Sequence, residues 1–148
     1  DQMREREGEK LAEDVRNHAC VIETLVGEVE KRSPERVAEY REKLLARMRE
    51  VLESTDIDET RIVTEAAIYA DKTAVDEETV RLRSHLHQLD GMLNEVKPVG
   101  RKLDFLVQEM NREANTIGSK ANDVEMAQTV VNIKSEIEKI REQIQNIE

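Results

Sequence analysis

Val130, Ile133, Ile137, Ile140, Ile144 and Ile147 recur at steps of three and four to the end of the chain, a spacing that suits a helix with one buried face. Similar steps return over most of the remaining length. Leu11, Val15, Ile22, Leu25 and Val29 form a coiled-coil-like seam with His18 in one heptad place, and Val37, Leu44, Leu45, Met48, Val51 and Leu52 continue the pattern. Five Gly and two Pro in 148 residues leave few interruptions, and with 2% aromatic residues and no Trp the apolar content is aliphatic. Together these features predict an all-α fold with coiled-coil-like packing and argue against sheet.

The breaks divide the pattern into elements. Ser33, Pro34 and Glu35 read as an N-cap followed by proline at the first helical position, so one helix is expected to end near residue 32 and another to begin. Residues 1–54 are then a long helical hairpin, and residues 58–148 carry further helices. Ile62, Val63, Ala66, Ala67 and Ala70 make a small-residue stripe. Asp76 is the expected N-cap of a helix over 77–96 whose core face is Leu82, Leu86, Leu89, Leu93 and Val96, and Lys97 to Gly100 end it. Gly118 reads as a helix C-terminal residue, and Asn122 with Glu125 as a capping-box-like start to the last helix.

Net charge is −10, which by itself argues against a general nucleic-acid binder. The charge is unevenly spread. From Lys97 to Lys120 five basic residues face three acidic ones, a local balance of +2, so the rest carries −12. Cys20 is the only cysteine, which excludes an internal disulfide and fits a reducing cytosol; it is expected to be buried on its helix. No apolar run approaches the roughly 20 residues that span a bilayer, so a cytoplasmic chain with no membrane partner is expected. Asp1 opens the chain inside a helical pattern, as expected of a fragment or a trimmed chain.

The segment from Pro98 to Lys120, PVGRKLDFLVQEMNREANTIGSK, holds polar residues that helical periodicity does not explain. Leu103, Leu106, Val107, Met110, Ala114 and Ile117 share one stripe. Asp104, Gln108, Asn111 and Asn115 line a flank, while Phe105, the only Phe, lies nearly opposite the stripe beside Glu109, Arg112 and Thr116. Asn is a poor helix former, so its repeated use on one face points to contact with something polar. Arg101, Lys102, Arg112 and Lys120 are candidates to hold phosphates. Glu65, Asp71, Asp104, Glu109 and Glu113 offer the carboxylate oxygens that hard divalent cations take, although helix salt bridges are the commoner use of such residues. Upstream, Arg81, His85 and Gln88 edge a leucine stripe. His85 at that border suits a general acid or base, a metal ligand or a phosphate contact, whereas His87 reads as solvated.

PVGRKLDFLVQEMNREANTIGSKAND, with IEKIREQIQNIE at the C-terminus, closely resembles the C-terminal region of the YicC/YloC family of endoribonucleases. The resemblance extends through RLRSHL around His85, DETRIVTEAAIYADK, and MREREGEKLAEDV at the start, and so covers nearly the whole chain. It implies a bacterial, RNA-cleaving protein that depends on a divalent metal, manganese or magnesium, and forms homo-oligomers of the hexamer type, with a preceding N-terminal domain absent here. Arg81 and His85 match the family's R-L-x-x-H pattern, Glu65 an R-x-x-x-E segment, and Gly100, Arg101, Asp104, Glu109, Asn111, Arg112, Glu113, Asn115 and Lys120 the central motif. The family often has an acidic residue where this chain has Ala74. The expected roles are catalysis by His85, Glu109 and Glu113, metal binding by Glu65, Asp104, Glu109 and Glu113, and RNA binding by Arg81, Arg101, Lys102, Asn111, Arg112, Asn115 and Lys120. The alternative is a non-catalytic helical module for oligomerisation or for recruiting an RNA-degradation partner, to which the net charge and the heptad-like end helices also point.

Overall fold

Helix α1 runs without interruption from Gln2 to Leu52 and sets the length of the molecule, about 75 Å at 1.5 Å per residue. The computed structural model describes residues 2–52, 58–95, 100–121 and 123–146, without the side chains of Arg4 and Leu52. After α1 come α2 (Glu59–Thr73), α3 (Asp76–Leu93), α4 (Gly100–Lys120) and α5 (Val124–Gln145). The fold is all-α, and no helix among the described residues is long and apolar enough to cross a membrane.

The expected hairpin break at Ser33–Pro34 does not occur, because Pro34 lies inside α1. A proline in mid-helix removes one backbone hydrogen bond and crowds the carbonyl one turn earlier, which costs about 3 kcal/mol or more. Side-chain ties span the spot. Arg32 bonds forward to Glu39 at 2.7 Å and to Glu35 at 3.3 Å, and across to Asp123 at 2.8 Å. Local sequence favours a stop here, and tertiary contacts carry the helix through it.

Helices α1, α3, α4 and α5 form a four-helix bundle in which each touches two neighbours, α1 with α3 and α5, and α4 with α3 and α5. Cross-helix pairs run in opposite order along each seam, so neighbours are antiparallel: His18 meets Glu136 and Arg32 meets Asp123, while Arg16 meets Asp90 and Arg83 meets Glu30. One continuous core joins Val15, Ile22, Val26 and Val29 of α1 to the leucines of α3, the apolar stripe of α4 and the isoleucines of α5. Helix α2 stands apart from that core. It packs on the far half of α1, where Tyr69 stacks on Tyr40 with ring centroids 4.0 Å apart, and it buries Ile62 and Ala66 but leaves Val63 and Ala67 exposed.

Helix ends show local chemistry. Asp58 caps α2 by accepting from the backbone N–H of Thr60, and Asp123 caps α5 by accepting from that of Met126. Asn122, expected in that second role, lies outside the described residues, as do Val96 to Val99 and Ile147. Helix α3 begins at Asp76, one residue earlier than expected, and Val75 stands at the cap. Helix α4 continues through Gly118. A Cβ there would come within 3.2 Å of Val130 Cγ1, so this glycine serves the close approach of α4 to α5 rather than a helix end. Cys20 is exposed, contrary to expectation, because the core-facing turn of α1 is filled by Ile22 and half-buried Ala19.

Candidate functional site

The leucine stripe of α3 buries Leu82, Leu86 and Leu89 and leaves His85 half-buried at its edge. Helix α4 runs antiparallel beside it and buries Leu103, Leu106, Val107, Met110, Ala114 and Ile117, all on the expected stripe. That packing turns the flank of α4 bearing Glu109 and Glu113 toward α3. His85, Glu109 and Glu113 each bring a ligand-type atom within 4.8 Å of the other two. Glu113 is 5% exposed. Both ring nitrogens of His85 are buried and have no hydrogen-bond partner. A buried polar atom without a partner costs about 1–3 kcal/mol, so this ring is held at a cost to the fold.

Neighbouring charges hold the group in place. Arg81 Nε donates to Glu113 at 3.1 Å, and this hydrogen bond raises the Arg81 guanidinium above its ordinary pKa. Lys120 Nζ donates to Glu78 Oε1 and to the Ala74 carbonyl, each at 2.9 Å. Glu78 is 3% exposed; burial pushes its carboxyl up, yet the Lys120 bond and nearby charges outweigh burial and leave it below the ordinary range. Arg81 and Lys120, expected to bind RNA, therefore have partners inside the chain. Spacing showed neither pairing, but Glu78 carried a signal: it lies on the core stripe one turn before Leu82, where a charge requires a partner.

At about 3.6 residues per turn, Asp104, Gln108, Asn111 and Asn115 fall on the opposite flank of α4, toward α5. Asp104 accepts from Gln108 at 3.3 Å and acts electrostatically on Arg141 of α5. Glu65 is half-buried on α2, which packs on α1. Among the described residues neither Asp104 nor Glu65 joins the group at His85, unlike the expected ligand set: Asp104 lies on the other flank of α4, and Glu65 is on α2, which packs against α1. Asn111 and Asn115 are exposed, away from that group. Arg112 is largely exposed and reaches Glu109 only at 4.0 Å.

Beside the group lies a pocket of about 390 Å³ lined by His85, Gln88, Met92, Arg101, Lys102, Phe105, Leu106 and Glu109. Arg101 and Lys102 are exposed and make no ion pair among the described residues. His87 is exposed and lies in a different groove, beside Arg16 and Cys20.

Residues 29–148 match the family model described as endoribonuclease YicC-like, C-terminal. The chain belongs to that family. It is 51% identical over 148 residues to a probable endoribonuclease YicC of Clostridioides difficile and 37% identical over 146 residues to one of Haemophilus influenzae. Each alignment covers 99% of this chain and 50% of the relative, so the chain spans about half the length of these relatives. Arg81, His85, Glu109, Glu113 and Lys120 all fall within the matched residues.

Proposed function

We propose that this chain carries the metal site and part of the RNA-binding surface of an endoribonuclease that hydrolyses RNA phosphodiester bonds with a divalent cation. One observation carries the reading: the buried, unpartnered ring nitrogens of His85 within ligand reach of Glu109 and Glu113. An imidazole with two carboxylates is a mixed nitrogen and oxygen donor set without thiolate, which suits manganese better than magnesium, whose ligands are oxygens. Such an ion supplies Lewis-acid stabilisation of a phosphodiester and lowers the pKa of water.

The chain's own residues do the rest. Glu109 and Glu113 hold the ion, and Arg81 fixes the rotamer of Glu113 through its 3.1 Å bond. His85 brings two nitrogens: as a ligand it would hold the ion through one and donate a hydrogen bond through the other, and free of the ion it would hold or give up a proton at the cleaved bond. Arg101 and Lys102, unpaired at the pocket mouth, hold the RNA backbone. Support for the reaction class comes from the relatives, both named probable endoribonucleases.

The test is cleavage of a labelled, structured RNA by the intact protein after chelator treatment, with and without added manganese or magnesium. Metal-restored cleavage that Glu113→Gln abolishes is the expected result. Cleavage indifferent to metal removes the ion from the reading. No cleavage in any condition favours the non-catalytic adaptor, to which the net charge of −10 also points.

A further inference from the structure

We infer that the pocket beside His85 is a subsite for one unpaired nucleobase, with Phe105 as its stacking platform, Gln88 at the base edge, and Arg101 and Lys102 on the flanking phosphates. The inference rests on the RNA reading above and adds what part of the RNA is bound, and where.

Phe105 is the only Phe in a chain with no Trp, yet the core does not use it. It is 63% exposed, while Leu103, Leu106 and Val107 around it are buried. Burial of a Phe side chain is worth about 1.5–3 kcal/mol, so an aromatic left out of an aliphatic core forgoes that gain unless a ligand covers it. It lines the pocket between α3 and α4, together with Met92 and Leu106. The volume, about 390 Å³, falls in the range of small-ligand sites.

The polar lining suits a nucleotide. Gln88 donates a long bond, 3.4 Å, to Ser84 Oγ, which leaves its carbonyl oxygen and second N–H for a base edge. Many arginines here have carboxylate partners, among them Arg16, Arg32, Arg81, Arg83 and Arg141. Arg101 and Lys102 have none among the described residues, and both line this pocket. His85 and Glu109 belong to the pocket and to the candidate metal group alike, so a base seated on Phe105 brings its own phosphate to the ion-holding carboxylates. A base inside a duplex is sealed in its stack, which makes the ligand a single strand or loop.

The experiment is binding of a labelled single-stranded RNA of about ten nucleotides to the intact protein in chelator, followed by fluorescence anisotropy. Phe105→Ala is expected to weaken affinity on the order of tenfold, and Phe105→Trp to keep it within about twofold. A set of RNAs with one abasic nucleotide at successive positions completes the test. Removal of the base at one position should cost the wild type on the order of tenfold and cost Phe105→Ala nothing further. Additive losses at every position overturn the subsite, and if metal-dependent cleavage persists the nuclease reading survives without it. Non-additivity with no cleavage in manganese keeps the subsite and removes the nuclease reading. If Phe105→Ala alters only the oligomeric state and leaves RNA affinity unchanged, Phe105 is a subunit contact and the subsite falls.

Discussion

Arg32 and His85 both stand at seams between helices of the bundle, each amid carboxylates. Around Arg32 the charges pair with one another: Glu39, Glu35 and Asp123 accept from its guanidinium, and Arg36 shares Glu39 at 2.9 Å. Around His85 the carboxylates of Glu109 and Glu113 come close, yet both ring nitrogens stay without a partner. Charges that meet one another across a seam in this way tie helices together and serve the fold. Two unpartnered nitrogens on one buried ring cost the fold stability without adding a contact, a cost that the proposed ion would offset.

The sharpest way to break this contrast is to remove Asp123, which both caps α5 and accepts from Arg32. Asp123→Ala is expected to lower unfolding free energy by about 2–4 kcal/mol, read by urea denaturation, because a helix cap and a half-buried ion pair go together. RNA cleavage measured where both proteins are folded should be unchanged. A loss of cleavage with stability intact would put the Arg32 cluster in the site and end the distinction.

The opposite result is expected at the other cluster. His85→Leu should reduce RNA cleavage at least tenfold, about 1.4 kcal/mol in the transition state. Its stability, by the same urea measurement, should stay level or rise, since two unpartnered buried nitrogens disappear. Manganese sharpens the comparison further. At about ten times its dissociation constant an ion that binds only the folded chain stabilises it by roughly 1.4 kcal/mol. Wild type and Asp123→Ala should both show that rise in thermal midpoint, and His85→Leu should not.

How much of this contrast was legible before the fold was known follows from what helical spacing can encode. The stripe of α4 from Leu103 to Ile117 matched, residue for residue, because a helix that buries one face repeats its apolar positions whatever it packs against. His85 at the border of the α3 stripe and exposed His87 followed from the same rule. Spacing is silent about which helix lies on which flank. Asn111 and Glu113 carry different expected roles, but nothing in the spacing says that α3 lies along the flank of Glu113 and α5 along the other. Arg81 and Lys120 read as RNA-binding residues because their partners, Glu113 and Glu78, lie on the facing helix in each case. Pro34 read as a helix start because local preference was unopposed; Arg32 reaches its opposing partner, Asp123, only after 91 residues.

Acid unfolding gives the smallest and most specific separation. Asp123 has its carboxyl held below the ordinary value of 3.8, first by the hydrogen bond from Arg32, against the opposing pull of burial. Glu39 is lowered likewise by Arg32 and Arg36. For such groups the unfolded chain binds more protons than the folded chain between the folded pKa and the ordinary one. Their stabilisation is therefore complete above the ordinary value and is lost as pH falls through the folded pKa. Asp123→Asn keeps a capping amide oxygen and removes this titration. Its stability curve is expected to lie below wild type above about pH 4 and to converge on it in more acidic solution, with slopes differing by less than about 1.4 kcal/mol per pH unit, the value for one proton. Urea midpoints between about pH 2.5 and 6 would show the convergence. Curves that stay parallel through that range would mean that Asp123 gains nothing from Arg32 as a charge, and that it stabilises the chain through cap geometry alone.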